Sequence, residues 1–280
     1  PVPVSSRRAG GRPGGRGGAG GRRRADLPTG PVPTSLATAE LELRDTGILL
    51  RLDGTESSWI DLRDPAHLDF EYQQQMNAVV DVLRPAPAPL RAVHLGGAAC
   101  ALARAWDALR PGSTQLAVEI DEVLALRVRQ WFDLPRSPRL RIRVADAARA
   151  APGLRPGGWD VVVRDVFARG RVPASCCDEA FTGACRRALA PGGVYLANAA
   201  CLPRAEAGAD LAAVRRVFGG DALIIADAAS ARGRRPGNLV VVAGAEPFTP
   251  RQREEVDRAV RRLPLPARAW SVDDPALPRA

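Results

Sequence analysis

From residue 90 onward the chain alternates short apolar runs with segments of helical periodicity, and this alternation constrains the fold more than any other feature. The strongest run is Trp159–Val163, where four of the five side chains are apolar. Further strands are predicted over 92–95, 115–120, 140–144, 194–197, 222–226 and 238–243, mostly with helices between them. Strands without a polar face are covered on both sides, and repeated strand–helix units run parallel. We therefore predict an α/β fold with a seven-stranded, mostly parallel sheet and helices on both faces.

The residues before this alternation predict a smaller β unit. Two extended runs, Gly47–Leu52 and Ser57–Leu62, flank an Asp53-Gly54 turn signal, which is typical of a β-hairpin. Apolar residues at helical spacing then predict a helix over 68–83. The predicted domains are a disordered tail (1–35), a small N-terminal β domain plus helix (36–84), a nucleoside-binding domain (85–245), and a C-terminal helix and tail (246–280).

The first 35 residues are rich in Gly, Pro and Arg and have almost no large apolar side chains, so we predict that they are disordered. Residues 1–30 hold seven arginines and one acid, Asp26, which leaves only +3 of the net charge of +9 for the rest of the chain. Such a tail could tether the protein loosely to nucleic acid or to anionic lipid. It could also be an extension without a role. We favour this second interpretation, because a Gly/Arg-rich tail is a compositional signal only.

The remaining composition argues against metal sites and membrane spans. No apolar run reaches the ~18 residues that a membrane-crossing helix needs, and no apolar stretch follows the first arginines as in a secretory signal. There are two histidines and five cysteines without a CxxC spacing, so we expect no metal ion and no disulfide framework. We therefore expect a cytoplasmic protein without a membrane partner.

Small and acidic residues follow three of the predicted strands. The first strand ends at Gly96-Gly97, the second at Glu119, and the third at Asp146-Ala147. In open α/β sheets, ligands bind beyond the carboxyl ends of the strands. Glycines let the backbone approach a ligand, an acid about twenty residues later can accept hydrogen bonds from ribose hydroxyls, and a third acid is suited to reading an adenine edge. Each residue could also serve as a turn or a helix cap, but the three in this order favour a nucleoside ligand.

These positions, with several others, resemble a known family. The matching segments are Gly96-Gly97, Val118-Glu119-Ile120-Asp121, Asp146-Ala147, Trp159–Asp165 and Leu189–Gly193. They are similar to the Rossmann-like, class I S-adenosylmethionine-dependent fold, and more specifically to the spermidine synthase (polyamine aminopropyltransferase) family. The Glu-Ile-Asp triplet and the small N-terminal β domain before it are typical of that family. The resemblance covers about residues 40–245.

The resemblance implies a site, a co-substrate and an assembly. The co-substrate would be S-adenosylmethionine or its decarboxylated form, the acceptor a small-molecule amine or another acceptor, and the assembly a homodimer. Asp165 would be the catalytic residue, Tyr72 and Asp69 would bind substrate, and the co-substrate would be held by Gly96, Gly97, Glu119, Ile120, Asp146 and Ala147.

Three positions depart from the family pattern. Ala99 and Ala168 stand where the family has acids, and Ser57 stands where a glutamine is expected. Each charge-assisted hydrogen bond is worth about 1.5–3 kcal/mol, so a dicationic amine would lose affinity without these acids. Two alternatives to aminopropyl transfer therefore stay open: a small-molecule methyltransferase, and a catalytically inactive nucleoside-binding scaffold.

Other polar residues near the predicted site have simpler explanations. His94 lies inside the first strand and is expected to be a packed side chain rather than a base. Cys176-Cys177 precede a predicted helix, and we expect buried, inert thiols rather than reactive ones. Arg164 could keep Asp165 ionised, or it could point to the other face of the sheet, since neighbours in a strand face opposite sides.

Overall fold

The structure, a computed structural model, describes residues 27–279, which form two β-sheets and the helices packed on them. The smaller sheet is antiparallel, in the order β1-β2-β3-β4. Its strands are β1 (Val32–Pro33), β2 (Thr38–Arg44), β3 (Gly47–Leu52) and β4 (Thr55–Asp61). The β3–β4 turn is Asp53-Gly54, with φ of 48° and 76°, a left-handed conformation that Gly and Asp tolerate better than other residues. The predicted hairpin is confirmed, and two further strands extend it.

The larger sheet has eight strands in the order β12-β10-β11-β9-β8-β5-β6-β7. Its strands are β5 (Arg91–Leu95), β6 (Thr114–Glu119), β7 (Leu140–Val144), β8 (Trp159–Arg164), β9 (Leu189–Ala200), β10 (Leu223–Ala226), β11 (Asn238–Gly244) and β12 (Arg268–Ser271). Strands β5 to β9 pair in parallel, whereas β11 pairs antiparallel with both β9 and β10, and β12 with β10. The mostly parallel α/β sheet is confirmed.

Helices cover both faces of this sheet. They are α1 (Glu71–Leu83), α2 (Ala101–Leu109), α3 (Glu122–Trp131), α4 (Ala147–Ala150), α5 (Glu179–Ala188), α6 (Arg204–Phe218), α7 (Ala228–Ala231) and α8 (Pro250–Arg261). In β8, Val161 and Val163 belong to the core shared with α1, α2 and α8, while Val162 belongs to the core shared with α5 and α6. Alternate residues of one strand are thus buried on opposite faces, which explains the continuous apolar run Val161–Val163.

The eighth strand is absent from the sequence prediction, which assigns a proline-rich tail to this region. Strand β12 has four residues and pairs with β10, and its Trp270 packs into the main core at 8% exposure. A four-residue segment with one buried aromatic side chain has no measurable periodicity, and only pairing with β10 makes it a strand.

The predicted tail boundary at residue 35 differs from the structure. Residues 1–26 lie outside the described residues, but the segment from residue 27 is packed: Leu27 is buried, and Val32–Pro33 form β1. The carboxylate of Asp121 accepts hydrogen bonds from Thr34 Oγ1 at 2.6 Å and from the Leu36 N–H at 2.8 Å. These contacts are made 85 or more positions away in the chain, so composition alone could not indicate them.

Helix α1 packs against the larger sheet rather than the smaller one. Met76 and Val79 are fully buried in the core that contains Val161 and Val163. The boundary predicted at residue 84 therefore separates α1 from the elements it contacts.

Within residues 27–279, no helix combines the length and apolarity needed to cross a membrane, and all five cysteines are free.

Candidate active site

The carboxyl ends of β5 and β8 meet at Gly96, and the contact there leaves no space for a side chain. The Asp165 N–H donates to the Leu95 carbonyl at 2.8 Å, which holds the two strand ends side by side. Gly96 has φ of 93°, and a Cβ at this position would lie 2.0 Å from the Asp165 carbonyl oxygen. Only glycine allows this approach, so the predicted glycine turn and the predicted catalytic acid are neighbours in the fold.

Glu119 at the end of β6 is joined to the same turn. Its Oε2 accepts hydrogen bonds from the Gly97 N–H at 3.1 Å and the Ala98 N–H at 2.8 Å, and its Oε1 accepts from the Asp121 N–H at 3.0 Å. A carboxylate offers about four lone-pair positions, so about one remains for a further donor. Glu119 thus holds the glycine turn in place and still presents an acceptor beside it.

The third predicted position adjoins Glu119 through the backbone. The Ala145 N–H donates to the Glu119 carbonyl at 3.0 Å, and Asp146 then caps α4 by accepting from the Ala148 N–H at 2.8 Å. Ala147 is buried beneath this turn, whereas Ile120 is an apolar side chain that is 53% exposed. The structure therefore brings together the turn residues Gly96 and Gly97 with Glu119, Ile120, Asp146 and Ala147 at one edge of the sheet.

Asp165 lies just beyond β8, where two side chains donate to its carboxylate. Tyr72 OH on α1 donates to Oδ2 at 2.7 Å, and Asn198 Nδ2 on β9 donates to Oδ1 at 3.0 Å. The Tyr72 hydroxyl in turn accepts from Gln73 Nε2 at 3.2 Å. Each carboxylate oxygen therefore has one short, fixed donor, which orients the group.

The electrostatics of this cluster favour proton uptake by Asp165. Burial raises the pKa of Asp165 above its ordinary value, while the hydrogen bonds from Tyr72 and Asn198 and the charge of Arg164 oppose that increase. Burial and the Asp165 carboxylate raise the pKa of Tyr72 well above the ordinary value for a phenol, so Tyr72 stays a hydrogen-bond donor at physiological pH. A fixed carboxylate with a raised pKa is suited to general-base chemistry.

Asp69 is the one predicted site residue that does not join this cluster through a described contact. It is exposed just before α1, and its Oδ1 lies 3.9 Å from His67 Nε2. Conversely, sequence reasoning missed Asn198 and Gln73. Asn198 is a polar residue inside the otherwise apolar run that ends β9, and this interruption is the signal that could have identified it.

The three departures from the family pattern have different surroundings. Ala99 is fully buried, and its N–H donates to Ser58 Oγ on β4 at 3.2 Å, so the small sheet contacts the glycine turn there. Ser57 Oγ bonds locally to the Thr55 carbonyl. Ala168 is exposed and pairs with Arg171 through backbone hydrogen bonds of 2.8 and 3.1 Å in the loop after β8. Of the two positions where the family has an acid, position 99 is therefore buried and position 168 is exposed to solvent.

The other candidates are structural. His94 is buried, shares a 2.9 Å hydrogen bond with Gln115, and has its pKa lowered to about 4 by burial. Burial raises the pKa of Cys176, and that of Cys177 to about 11, so neither thiol is activated. Arg164 points away from Asp165 and pairs with Asp210 at 2.7 Å. Among the described residues, no group of three or more His, Cys, Asp or Glu side chains could hold a metal ion.

Comparison with known proteins identifies the family. No family model matches the chain. The structure superimposes on a probable spermidine synthase from Corynebacterium glutamicum with a TM-score of 0.79 and 32% sequence identity, over 89% of this chain and 95% of that one. The chain belongs to the spermidine synthase family. This assignment confirms the family that the sequence motifs indicate.

Two curated relatives extend the spermidine synthase comparison. A polyamine aminopropyltransferase from Chromobacterium violaceum is 29% identical over 170 residues, which are 59% of this chain and 64% of that protein. The human eEF1A lysine and N-terminal methyltransferase is 28% identical over 172 residues, 55% of this chain and 24% of that protein. The chain thus matches less than two thirds of the length of either curated relative.

Proposed function

We propose that the protein is a transferase that takes an aminopropyl group from decarboxylated S-adenosylmethionine and passes it to a small-molecule amine. The observation that carries this proposal is the Asp165 carboxylate, which Tyr72 and Asn198 orient on a residue whose main chain contacts Gly96. A base at this place serves a reaction between a nucleoside donor, bound at the turn, and an amine, bound beside α1. The polyamine aminopropyltransferase and spermidine synthase names of the relatives agree with this chemistry.

The residues around the glycine turn fit a sulfonium nucleoside. Glu119 retains about one free acceptor position for a ribose hydroxyl, and a second hydroxyl would displace the Gly97 or Ala98 N–H. The exposed Ile120 offers an apolar surface for a purine, and Asp146 is a half-buried acid that can accept from an exocyclic amine. Roles in co-substrate binding are therefore proposed for Gly96, Gly97, Glu119, Ile120, Asp146 and Ala147.

Asp165 would act on the acceptor amine. When bound, the donor supplies a carbon atom made electrophilic by the adjacent sulfonium. Only a neutral amine has the lone pair needed for attack, so a base has to hold or remove its proton. Asp165 accepts that proton as the C–N bond forms and the C–S bond breaks, while Tyr72 and Asn198 keep its oxygens in line. Tyr72 is also placed to line the amine site, and Asp69 is proposed at its outer side.

Methyl transfer is the second candidate, and the uncharged positions 99 and 168 favour it. Where the family resemblance implies an acid that engages the donor's amino group, Ala99 is fully buried and uncharged. Ala168 likewise provides no charge for a dicationic acceptor. The human relative that is named a methyltransferase is 28% identical over about half of this chain.

Calorimetry with decarboxylated S-adenosylmethionine, S-adenosylmethionine and methylthioadenosine tests both candidates. We expect the decarboxylated donor to bind most tightly, and mass spectrometry to detect a product amine that is one aminopropyl group heavier. Tighter binding of S-adenosylmethionine, with methylated product, would support the second candidate instead. Failure of all three nucleosides to bind would leave an inactive scaffold and overturn the proposal.

A charge-neutral variant tests the proposed ribose contact. Glu119→Gln keeps the shape of the side chain but removes its charge, so donor affinity is expected to fall about tenfold or more, as for loss of a charge-assisted hydrogen bond. Glu122→Gln is the matched control, because Glu122 is an exposed acid three residues later in the same connection. Equal affinities in the two variants would remove Glu119 from the site.

A further inference from the structure

Arg164, the last residue of β8, and Asp165, the residue after it, point to opposite faces of the sheet. Asp165 faces α1, where it meets Tyr72. Arg164 faces α6, where its guanidinium is 0% exposed and forms a two-point ion pair with Asp210, through Nη1–Oδ1 at 2.8 Å and Nη2–Oδ2 at 2.7 Å. Asp210 is also buried, at 3% exposure. A fully buried charge pair thus lies directly behind the candidate base.

The two terminal nitrogens of Arg164 also donate to backbone carbonyls. Nη2 donates to the Asn198 carbonyl at 3.0 Å and Nη1 to the Cys176 carbonyl at 3.3 Å, while Nε has no hydrogen-bond partner among the described residues. One guanidinium therefore joins the end of β8 to β9, to α6 and to the segment before α5. The planar fork of an arginine is suited to this task, because its donors have fixed relative directions.

Asn198 links the two faces. Its main-chain oxygen accepts from Arg164 on the α6 side, while its side-chain Nδ2 donates to Asp165 on the α1 side. The Asn198 side chain is 3% exposed, and its Oδ1 has no hydrogen-bond partner among the described residues. Apart from its bond to Asp165, this side chain is positioned by its backbone, which is held by pairing with Val240 of β11 and by Arg164.

We propose that Asp210 and Arg164 are positioning residues, which fix Asn198 and through it the orientation of the Asp165 carboxylate. The inference rests on the proposed function for its kinetic consequences only. Neither residue contacts the proposed donor or acceptor, and both act through Asn198.

Fold stability alone is a poor explanation for this pair. Replacing a buried ion pair with apolar side chains of similar volume is often neutral or stabilising, because the desolvation of two charges offsets their attraction. Burial by itself lowers the pKa of Arg164, but the neighbouring Asp210 carboxylate is the largest of the causes that raise this pKa above its ordinary value, so the guanidinium stays charged. Since stability does not require charges at these two positions, the contact of Arg164 with the Asn198 backbone points to a role in geometry.

The test uses a double apolar variant and a control at the other end of the same strand. Arg164→Met with Asp210→Leu removes the fork without leaving an unpaired charge. The control is Arg91→Met with Asp160→Leu, because Arg91 Nη2 pairs with the buried Asp160 at 2.9 Å at the start of β8, at the opposite end of the strand from the glycine turn. Asp160 also pairs with Arg84 at 3.3 Å, so the control is the harsher change for stability. A third variant, Arg164→Lys, keeps the positive charge but lacks the fork.

Turnover, affinity and the titration of Asp165 are the three readouts. Misplacing a catalytic group by about 1 Å can cost roughly 100-fold in rate, so we expect kcat to fall 10- to 100-fold in the double variant and in Arg164→Lys. The affinity for methylthioadenosine should stay within threefold, since the nucleoside site is not touched. In the control, kcat should stay within threefold even if its melting temperature drops.

The titration of Asp165 gives a result that does not need turnover. Tyr72 on α1 and Asn198 on β9 face this carboxyl and donate to it, while Arg164 acts on it only through its charge from the opposite face of the sheet. Loss of the Asn198 hydrogen bond and of the Arg164 charge both raise the pKa of Asp165, so its ¹³C carboxyl signal should titrate at higher pH in the double variant. Arg164→Lys retains the charge, and an increase there isolates the effect of Asn198. The signal is assigned by its absence in Asp165→Asn.

Two outcomes would overturn the inference. Normal kcat in Arg164→Lys would show that charge and not geometry matters, and an unchanged Asp165 titration in a folded double variant would show that the pair does not reach the carboxyl at all. If the wild-type protein turns over no donor, the proposed function fails, while the titration still decides the role of Arg164 and Asp210.

Discussion

Tyr72→Phe removes one donor from the Asp165 carboxylate and leaves the rest of the side chain in place. The lost contact is the 2.7 Å hydrogen bond from Tyr72 OH to Asp165 Oδ2. Hydrogen bonds to charged groups are worth about 1.5–3 kcal/mol, and 1.4 kcal/mol is a factor of ten, so ionised Asp165 should be disfavoured roughly 10- to 150-fold. The proposed base therefore becomes harder to ionise.

The sign of the pH effect follows from the causes of the shift. Burial already raises the pKa of Asp165, and the Tyr72 hydrogen bond opposes that increase. Removing the bond raises the pKa further, so the acid limb of the kcat profile should move to higher pH. The stability loss should be largest at neutral pH and vanish in acid, where protonated Asp165 no longer depends on the donor.

The chain contains a matched control, because its only other tyrosine is Tyr195. This residue is fully buried on β9, its ring is stacked on Phe218, and its hydroxyl has no hydrogen-bond partner among the described residues. Tyr195→Phe removes an unsatisfied hydroxyl, so stability should be unchanged or increased and turnover should stay within threefold. The assay is the pH dependence of kcat together with thermal denaturation. An acid limb that moves equally in both variants, or in neither, would refute the role assigned to Tyr72.

Three further predictions rest on single contacts. Asp165→Asn should abolish turnover but raise the melting temperature by about 2–4 °C. The variant removes a buried charge, and a rotated Asn198 can accept a hydrogen bond from the new amide through its unpartnered Oδ1. A lower melting temperature would contradict this prediction. Gly96→Ala should destabilise by at least about 2 kcal/mol in urea unfolding, since its Cβ would lie 2.0 Å from the Asp165 carbonyl oxygen and its φ is 93°. His94 has its pKa lowered to about 4 from 6.5, so the wild-type free energy of unfolding should fall as pH decreases from 6.5 to 4, and His94→Gln should flatten that slope.

The positions of most strands along the chain, and the residues at their ends, could be predicted because both are local signals. An apolar run such as Trp159–Val163 predicts a strand buried on both faces, and Gly96, Glu119 and Asp146 each follow such a run. Parallel strands bring their carboxyl ends to one edge, so the prediction that these residues lie together required no knowledge of side-chain packing. The structure joins them through Glu119 and the glycine turn.

Other features could not be predicted because their signals are weak or distant. Strand β12 (Arg268–Ser271) is too short for periodicity, and it exists because β10 offers an unpaired edge. The segment from residue 27 to 36 has few apolar residues and no periodicity, and polar contacts to Asp121 help to hold it. In both cases the partner lies far away in the sequence, and a window of neighbouring residues does not contain it.

The sequence by itself determined that this chain forms a layered α/β sheet. It also determined that a glycine turn, two acids and the carboxylate after the fourth parallel strand lie at the carboxyl ends of the strands. Both follow from short windows of sequence, which contain the apolar periodicity and the turn residues. Only the tertiary structure decided what Asp165 can do. Its two donors lie 93 residues earlier, at Tyr72, and 33 residues later, at Asn198. Their approach depends on how α1 and β9 pack around β8, and burial by those same elements raises the pKa of the carboxyl.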